Sequence, residues 1–169
     1  DRRQRQMCIR DRMIALARAD KGAGAFVGVH GESMGGATVL LAACMDPPPD
    51  FVVADCPYAD LTEEAAYDLH ALCHLRAWPF IPAASLVMRL SAGFFFRDVS
   101  PLREIEARGG LPEVPILFVH GTADKLIPYA ASEKLYAAKR GKKALSLVEG
   151  AEHARSIVHT RAQYAETVY

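Results

Sequence analysis

The sequence predicts an α/β fold, a parallel sheet with helices on both faces, and three observations carry that reading. Short β-rich apolar runs alternate with longer runs of helix formers from residue 25 onward. A serine stands at a strand-to-helix corner, in Gly31-Glu32-Ser33-Met34-Gly35. Two later apolar runs end in loops that carry Asp124 and His153, at the strand ends where open α/β sheets hold their ligand groups.

Taken in order, Met13 to Asp20 shows a helical pattern, Ala25 to His30 reads as a buried parallel strand, and residues 34–45 form a buried helix. Pro47-Pro48-Pro49 is a loop, and Phe51 to Asp55 is the next strand. The alternation is then interrupted from about Leu61 to Asp98. Within that excursion Glu63 to Leu75 is an amphipathic helix, Trp78-Pro79-Phe80-Ile81-Pro82 breaks the pattern, and a helix resumes over Ala83 to Leu90. Helix 101–107, strand 115–120, helix 130–140, strand 144–148 and helix 154–168 complete the series, with no internal repeat or low-complexity tract.

The chemistry centres on Ser33. A serine between a strand and a helix is forced into a strained turn with its hydroxyl exposed, and Gly31 and Gly35 are expected where a Cβ would strike the neighbouring strand or helix. The amides that open the following helix favour negative charge at the same spot. Such a corner suits a nucleophile, which needs a base, and the base needs an orienting acid. Asp124 follows Pro115–His120 and Gly121-Thr122-Ala123; His153 follows Ala144–Val148 and Glu149-Gly150-Ala151-Glu152. Asp55, at the end of its own strand on the same rim, is the rival acid. His30 and His120 each precede a glycine at a strand end and read as packing or supporting residues. His159 falls inside the last helix, and His70 and His74 belong to the excursion. None of the six histidines pairs with a carboxylate or cysteine at metal-ligand spacing, so no metal is expected.

These segments together resemble the α/β-hydrolase superfamily, specifically bacterial serine hydrolases of the serine aminopeptidase-like group, in its YqkD-like branch. The resemblance rests on His30-Gly31-Glu32-Ser33-Met34-Gly35, Asp55-Cys56-Pro57-Tyr58, Asp98-Val99-Ser100-Pro101-Leu102, His120-Gly121 through Asp124, and Gly150 to His153, spread over about Met13 to Tyr169. It implies Ser33 as nucleophile, Asp124 as acid, His153 as base, and the backbone N–H of Met34 as one oxyanion donor. It further implies that the excursion is a helical cap over the active site; its apolar residues either shape an acyl or leaving-group pocket or simply pack the cap onto the sheet. The N-terminal half of the usual sheet is expected to be absent, together with a second oxyanion donor and any native signal or anchor. Residues 13–169 are then the C-terminal portion of one domain, with the cap at about 61–98. Asp1 to Arg12, with five arginines in twelve residues and no periodicity, resembles the translated read-through of a sequencing adaptor; the other reading is a disordered basic arm.

Composition bounds the rest. With 169 residues, 51% of them hydrophobic, the chain can bury a core as one domain or less. Twenty basic and twenty acidic side chains balance, which argues against nucleic acid or anionic lipid as partner. Lys139-Arg140-Gly141-Lys142-Lys143 suits a solvated helix end. Four cysteines without regular spacing suggest free thiols, in the cytoplasm or at a membrane facing a reducing compartment. The expected activity is hydrolysis of an ester, thioester or amide of a small or peptide substrate through an acyl-enzyme, with no metal or organic cofactor. Acyl transfer on the same fold and a non-catalytic scaffold are the alternatives, and this stretch alone is expected to be inactive.

Overall fold

Four parallel strands hydrogen-bond in chain order: β1 (Gly28–Glu32), β2 (Phe51–Asp55), β3 (Ile116–Gly121) and β4 (Lys143–Val148). The structure is a computed structural model and describes residues 2–22 and 24–159, with side chains from Arg12 onward. Seven helices are seen among these residues: α1 (Arg2–Lys21), α2 (Met34–Ala43), α3 (Leu61–Cys73), α4 (Ala77–Ala92), α5 (Pro101–Ala107), α6 (Ala130–Ala138) and α7 (Ser156–His159). β2 and β3 are buried along nearly their whole length, as expected of parallel strands covered on both faces.

On one face α2, α5 and α6 pack side by side, and Leu40, Ile105 and Leu135 interlock there with Val52, Ala54, Ile116 and Phe118 of the sheet. The alternate residues of the same strands, Val53 and Val119, point to the other face and pack with Val148 and Ala151. There α7 lies against β3, and Ser156 Oγ donates to Asp55 Oδ1 at 3.2 Å.

Several element ends differ from the sequence expectation. β1 runs from Gly28 rather than Ala25, because Val27 is taken by Asp50: its amide donates to the Asp50 carboxylate at 2.7 Å and its carbonyl accepts the Asp50 amide at 2.9 Å. α3 opens at Leu61, where Asp60 caps it by accepting from the amides of Thr62 (2.7 Å) and Glu63 (3.3 Å). The break expected over 78–82 is confined to Trp78, held extended ahead of Pro79, which opens the continuing helix at a position where a missing N–H costs little, while Pro82 lies inside that helix. α1 begins at Arg2, well before Met13, as a helix can in a stretch of good helix formers that lacks an apolar stripe. Of the C-terminal helix expected over 154–168, Ser156–His159 is helical, and residues 160–169 lie outside the described residues.

The excursion between β2 and α5 folds back over the strand ends. Tyr67 Oη donates to the carbonyl of Lys125 at 3.2 Å, and Lys134 Nζ pairs with Glu63 at 2.6 Å. α3 is thereby fixed to the loop that follows β3 and to α6.

Candidate active site

Ser33 joins β1 to α2 with φ 57° and ψ −120°, a conformation that costs a non-glycine residue on the order of 1–3 kcal/mol. Its amide donates to the carbonyl of Asp55 at 2.9 Å, which pins the corner to the end of β2. The turn is tight enough that a Cβ on Gly31 would lie 2.2 Å from the carbonyl oxygen of Gly35. The second crowded glycine is Gly36, not the expected Gly35: a Cβ on Gly36 would lie 2.8 Å from the Asp55 carbonyl oxygen, whereas one on Gly35 meets nothing within 4 Å. α2 leans its second glycine against β2, and Gly35 serves only as the surface that Gly31 approaches.

The structure brings Ser33, His153 and Asp124 into one hydrogen-bonded line. The Ser33 hydroxyl lies 2.9 Å from His153 Nε2, and His153 Nδ1 lies 2.8 Å from Asp124 Oδ2. With the proton on Nδ1 donated to the carboxylate, Nε2 is left to accept from the hydroxyl. The Asp124 and His153 loops are laced together: Thr122 and Ala123 donate their amides to the carbonyls of Val148 (2.9 Å) and Ala151 (3.0 Å), and Gly150 donates to Thr122 Oγ1 (2.9 Å). This fixes the aspartate against the histidine before any ligand arrives.

Asp124 is buried, and its Oδ1 accepts from the amides of Leu126 and Ile127, both at 2.9 Å. Burial alone would raise its carboxyl, but hydrogen bonds from His120, the Ile127 amide and His153 outweigh it and hold the group below the usual carboxylate range. His120 is itself fully buried. Its Nε2 donates to the Ile127 carbonyl at 2.9 Å and lies 3.4 Å from Asp124, while Nδ1 accepts from the Ser132 hydroxyl at 2.7 Å. The sequence left His120 as packing or support; its network braces the loop that carries Asp124. Asp55, the rival acid, faces Ser156 instead of His153.

Met34 is the first residue of α2, and an amide at that position has no acceptor within its own helix. The rim also holds Cys56, with φ 40° and a buried thiol. Burial first, and then the Asp55 charge, push that thiol up to about 12, only partly offset by hydrogen bonds from the backbone of Ala154 and Ser33. Cys56, Asp124 and His153 offer donor atoms within 4.8 Å of one another. A protonated thiol beside a histidine and carboxylate already bonded to each other is a poor metal-ligand set at neutral pH.

Above Ser33 opens a cavity of about 770 Å³, walled by α2 on one side and by Met88, Phe94 and Phe96 of the excursion on the other. Trp78 and Phe80 stand out in solvent and take no part in it. Two further wall residues escaped the sequence reading: Glu64 and Asp68, on α3. The signal was present, since both share a helix face with Leu61 at spacings of three and seven residues, acids on the stripe where apolar side chains belong. Among the described residues no helix is long and apolar enough to cross a membrane.

Residues 7–168 match the prolyl oligopeptidase family. The chain is 40% identical over 161 residues to the uncharacterized protein YqkD of Bacillus subtilis, covering 94% of this chain and 51% of that protein; it thus spans about half the length of the curated relative it matches. Among solved structures, the esterase Pf2001 of Pyrococcus furiosus superposes with a TM-score of 0.60 at 21% identity, over 83% of this chain and 50% of the esterase. A puromycin-hydrolyzing peptidase of Mycobacterium tuberculosis gives 0.64 at 22% identity, over 90% of this chain and 23% of that one. These structures share the α/β-hydrolase fold, and the family match runs nearly end to end: the chain belongs to the prolyl oligopeptidase family.

Proposed function

We propose that the protein is a serine hydrolase that cleaves an ester, thioester or amide through an acyl-enzyme, with Ser33 as nucleophile, His153 as base and Asp124 as orienting acid. The observation that supports it most is the line from Ser33 Oγ through His153 to Asp124, at 2.9 and 2.8 Å. His153 Nε2 takes the hydroxyl proton as Oγ bonds to the substrate carbonyl carbon, and the charge that builds on the carbonyl oxygen rests on the Met34 amide. The imidazolium, steadied by Asp124, gives its proton to the leaving alcohol, thiol or amine as that bond breaks. Water then repeats the sequence: His153 takes its proton, its oxygen bonds to the acyl carbon, and Ser33 leaves with the proton returned.

The test is covalent labelling of the full-length protein with a fluorophosphonate. Ser33 should carry the label, and Ser33→Ala should abolish both labelling and turnover, a loss on the order of 10⁴–10⁶ in kcat. Labelling that persists in the alanine variant refutes the assignment.

A further inference from the structure

We propose that the outer face of α4 docks the protein on a bilayer surface that carries anionic headgroups. After the kink at Trp78 this helix has two unlike faces. Ile81, Ser85, Met88 and Ala92 recur at the helical period and face inward. Ile81 is buried, Ser85 Oγ accepts the Phe96 amide at 3.0 Å, and Met88 and Ala92 line the cavity. The opposite face consists of Pro79, Phe80, Ala83, Leu86, Val87 and Leu90, with no polar side chain among them. It stands in solvent: Leu90 is 80% exposed, Val87 61%, Leu86 52% and Phe80 47%, and Trp78 beside the kink is 76% exposed. A helix at a protein surface ordinarily turns polar residues outward, so a face of this composition belongs against an apolar phase.

Charge identifies the phase. Of the twenty acidic residues in the chain, none falls between Leu69 and Arg97. The acids that bracket this stretch, Asp68 and Asp98, line the cavity beneath it. The stretch itself carries Arg76, Arg89 and Arg97, all exposed. Arg76 stands at the N-cap of α4, while Arg89 and Arg97 hold their guanidiniums 5.6 and 4.8 Å from the centre of the Phe95 ring, near the other end. Cations thus flank both ends of an apolar face that bears aromatic side chains, the composition of a helix resting at the headgroup boundary. The even charge balance of the whole chain conceals this local excess, because the compensating acids lie elsewhere. A second copy of the chain is a poor occupant, since a two-fold contact would set the same arginines against one another. Anionic headgroups supply the opposite charge, and each guanidinium near them contributes about fivefold to partitioning. A docked α4 sets the cavity above Ser33 about one helix diameter, roughly 10–12 Å, from the lipid.

Vesicle co-sedimentation of the full-length protein tests this. It should bind vesicles of equal parts phosphatidylcholine and phosphatidylglycerol, and bind phosphatidylcholine alone about tenfold or more weakly. Leu86→Gln combined with Leu90→Gln should weaken binding to the anionic vesicles about tenfold or more. Arg76→Gln combined with Arg89→Gln should shrink the gap between the two vesicle types. Both leucines are exposed and neither lines the cavity, so the melting temperature should hold in that pair. If folded full-length protein binds neither vesicle, the rest of the protein covers α4 and the proposal fails. A dimer in sedimentation velocity that the leucine substitutions dissociate overturns it in favour of a second copy. Equal binding to neutral and anionic vesicles, or binding that outlasts the leucine substitutions, also overturns it. Vesicle binding does not depend on the Ser33 hydroxyl, so this proposal stands or falls apart from the hydrolase reading.

Discussion

A Cβ on Gly36 would stand 2.8 Å from the carbonyl oxygen of Asp55, the same oxygen that accepts the Ser33 amide at 2.9 Å. The contact between α2 and β2 and the anchoring of the candidate nucleophile therefore share one atom. Gly36→Ala should cost about 1–3 kcal/mol of stability and slow fluorophosphonate labelling, because the helix must back away from the carbonyl that holds Ser33. Gly35→Ala meets open space, and should leave the melting temperature unchanged or raise it through better helix propensity. Thermal unfolding of both variants decides; equal stability would mean that the Gly36 contact is slack.

The proposed acid is separable from its rival. Asp124→Asn puts an amide opposite His153 Nδ1, favours the wrong tautomer and should lower kcat by about 10⁴. Asp55→Asn keeps an acceptor for the Ser156 hydroxyl and should cost far less. Steady-state rates with one ester suffice, and a larger loss from the Asp55 change would overturn the assignment.

The sequence was most legible where local chemistry and tertiary contacts agree. Val52, Val53 and Val119 are β-branched and buried on alternate faces of the sheet, so composition and burial point the same way. The corner at Ser33 and the strand-end loops of Asp124 and His153 follow from punctuation by glycine and from chain order. What stayed hidden depends on partners distant in sequence. Gly36 is crowded by Asp55, a residue of the next strand, and no local pattern distinguishes it from Gly35. Likewise His120 owes its role to Ile127 and Ser132, which the loop after β3 and the start of α6 bring around it. Glu64 and Asp68 reach the cavity above Ser33 only because α3 folds back onto the loop after β3 and onto α6.

Cys56 sits on the rim of the candidate active site without being poised to react. Its thiol, pushed up to about 12, stays protonated at neutral pH, and the thiolate is the reactive form. Iodoacetamide at pH 8 should therefore modify exposed Cys73 in the native protein and reach Cys56 only after unfolding, as read by peptide mapping. Rapid native-state alkylation of Cys56, with loss of activity, would contradict this.

Glu64 ties stability to pH. Its carboxyl is pushed up to about 7, by burial first, and an unfolded chain returns it to the ordinary range near 4.5. Between these values the folded state keeps a proton that the unfolded state has released, so stability falls as pH rises through the window. Asp68, also raised chiefly by burial, adds to the same slope. Asp124 works in the opposite sense and elsewhere: its lowered carboxyl contributes stability that is present above the ordinary carboxylate range and lost as pH falls below it. The clean observable is the difference in melting temperature between Glu64→Gln and wild type, since groups common to both cancel. That difference should be small at pH 4.5, grow in favour of the glutamine through pH 7, and level off above it. A difference that stays flat from pH 4.5 to 8 would show that Glu64 finds ample solvation in the folded protein and carries no uncompensated charge.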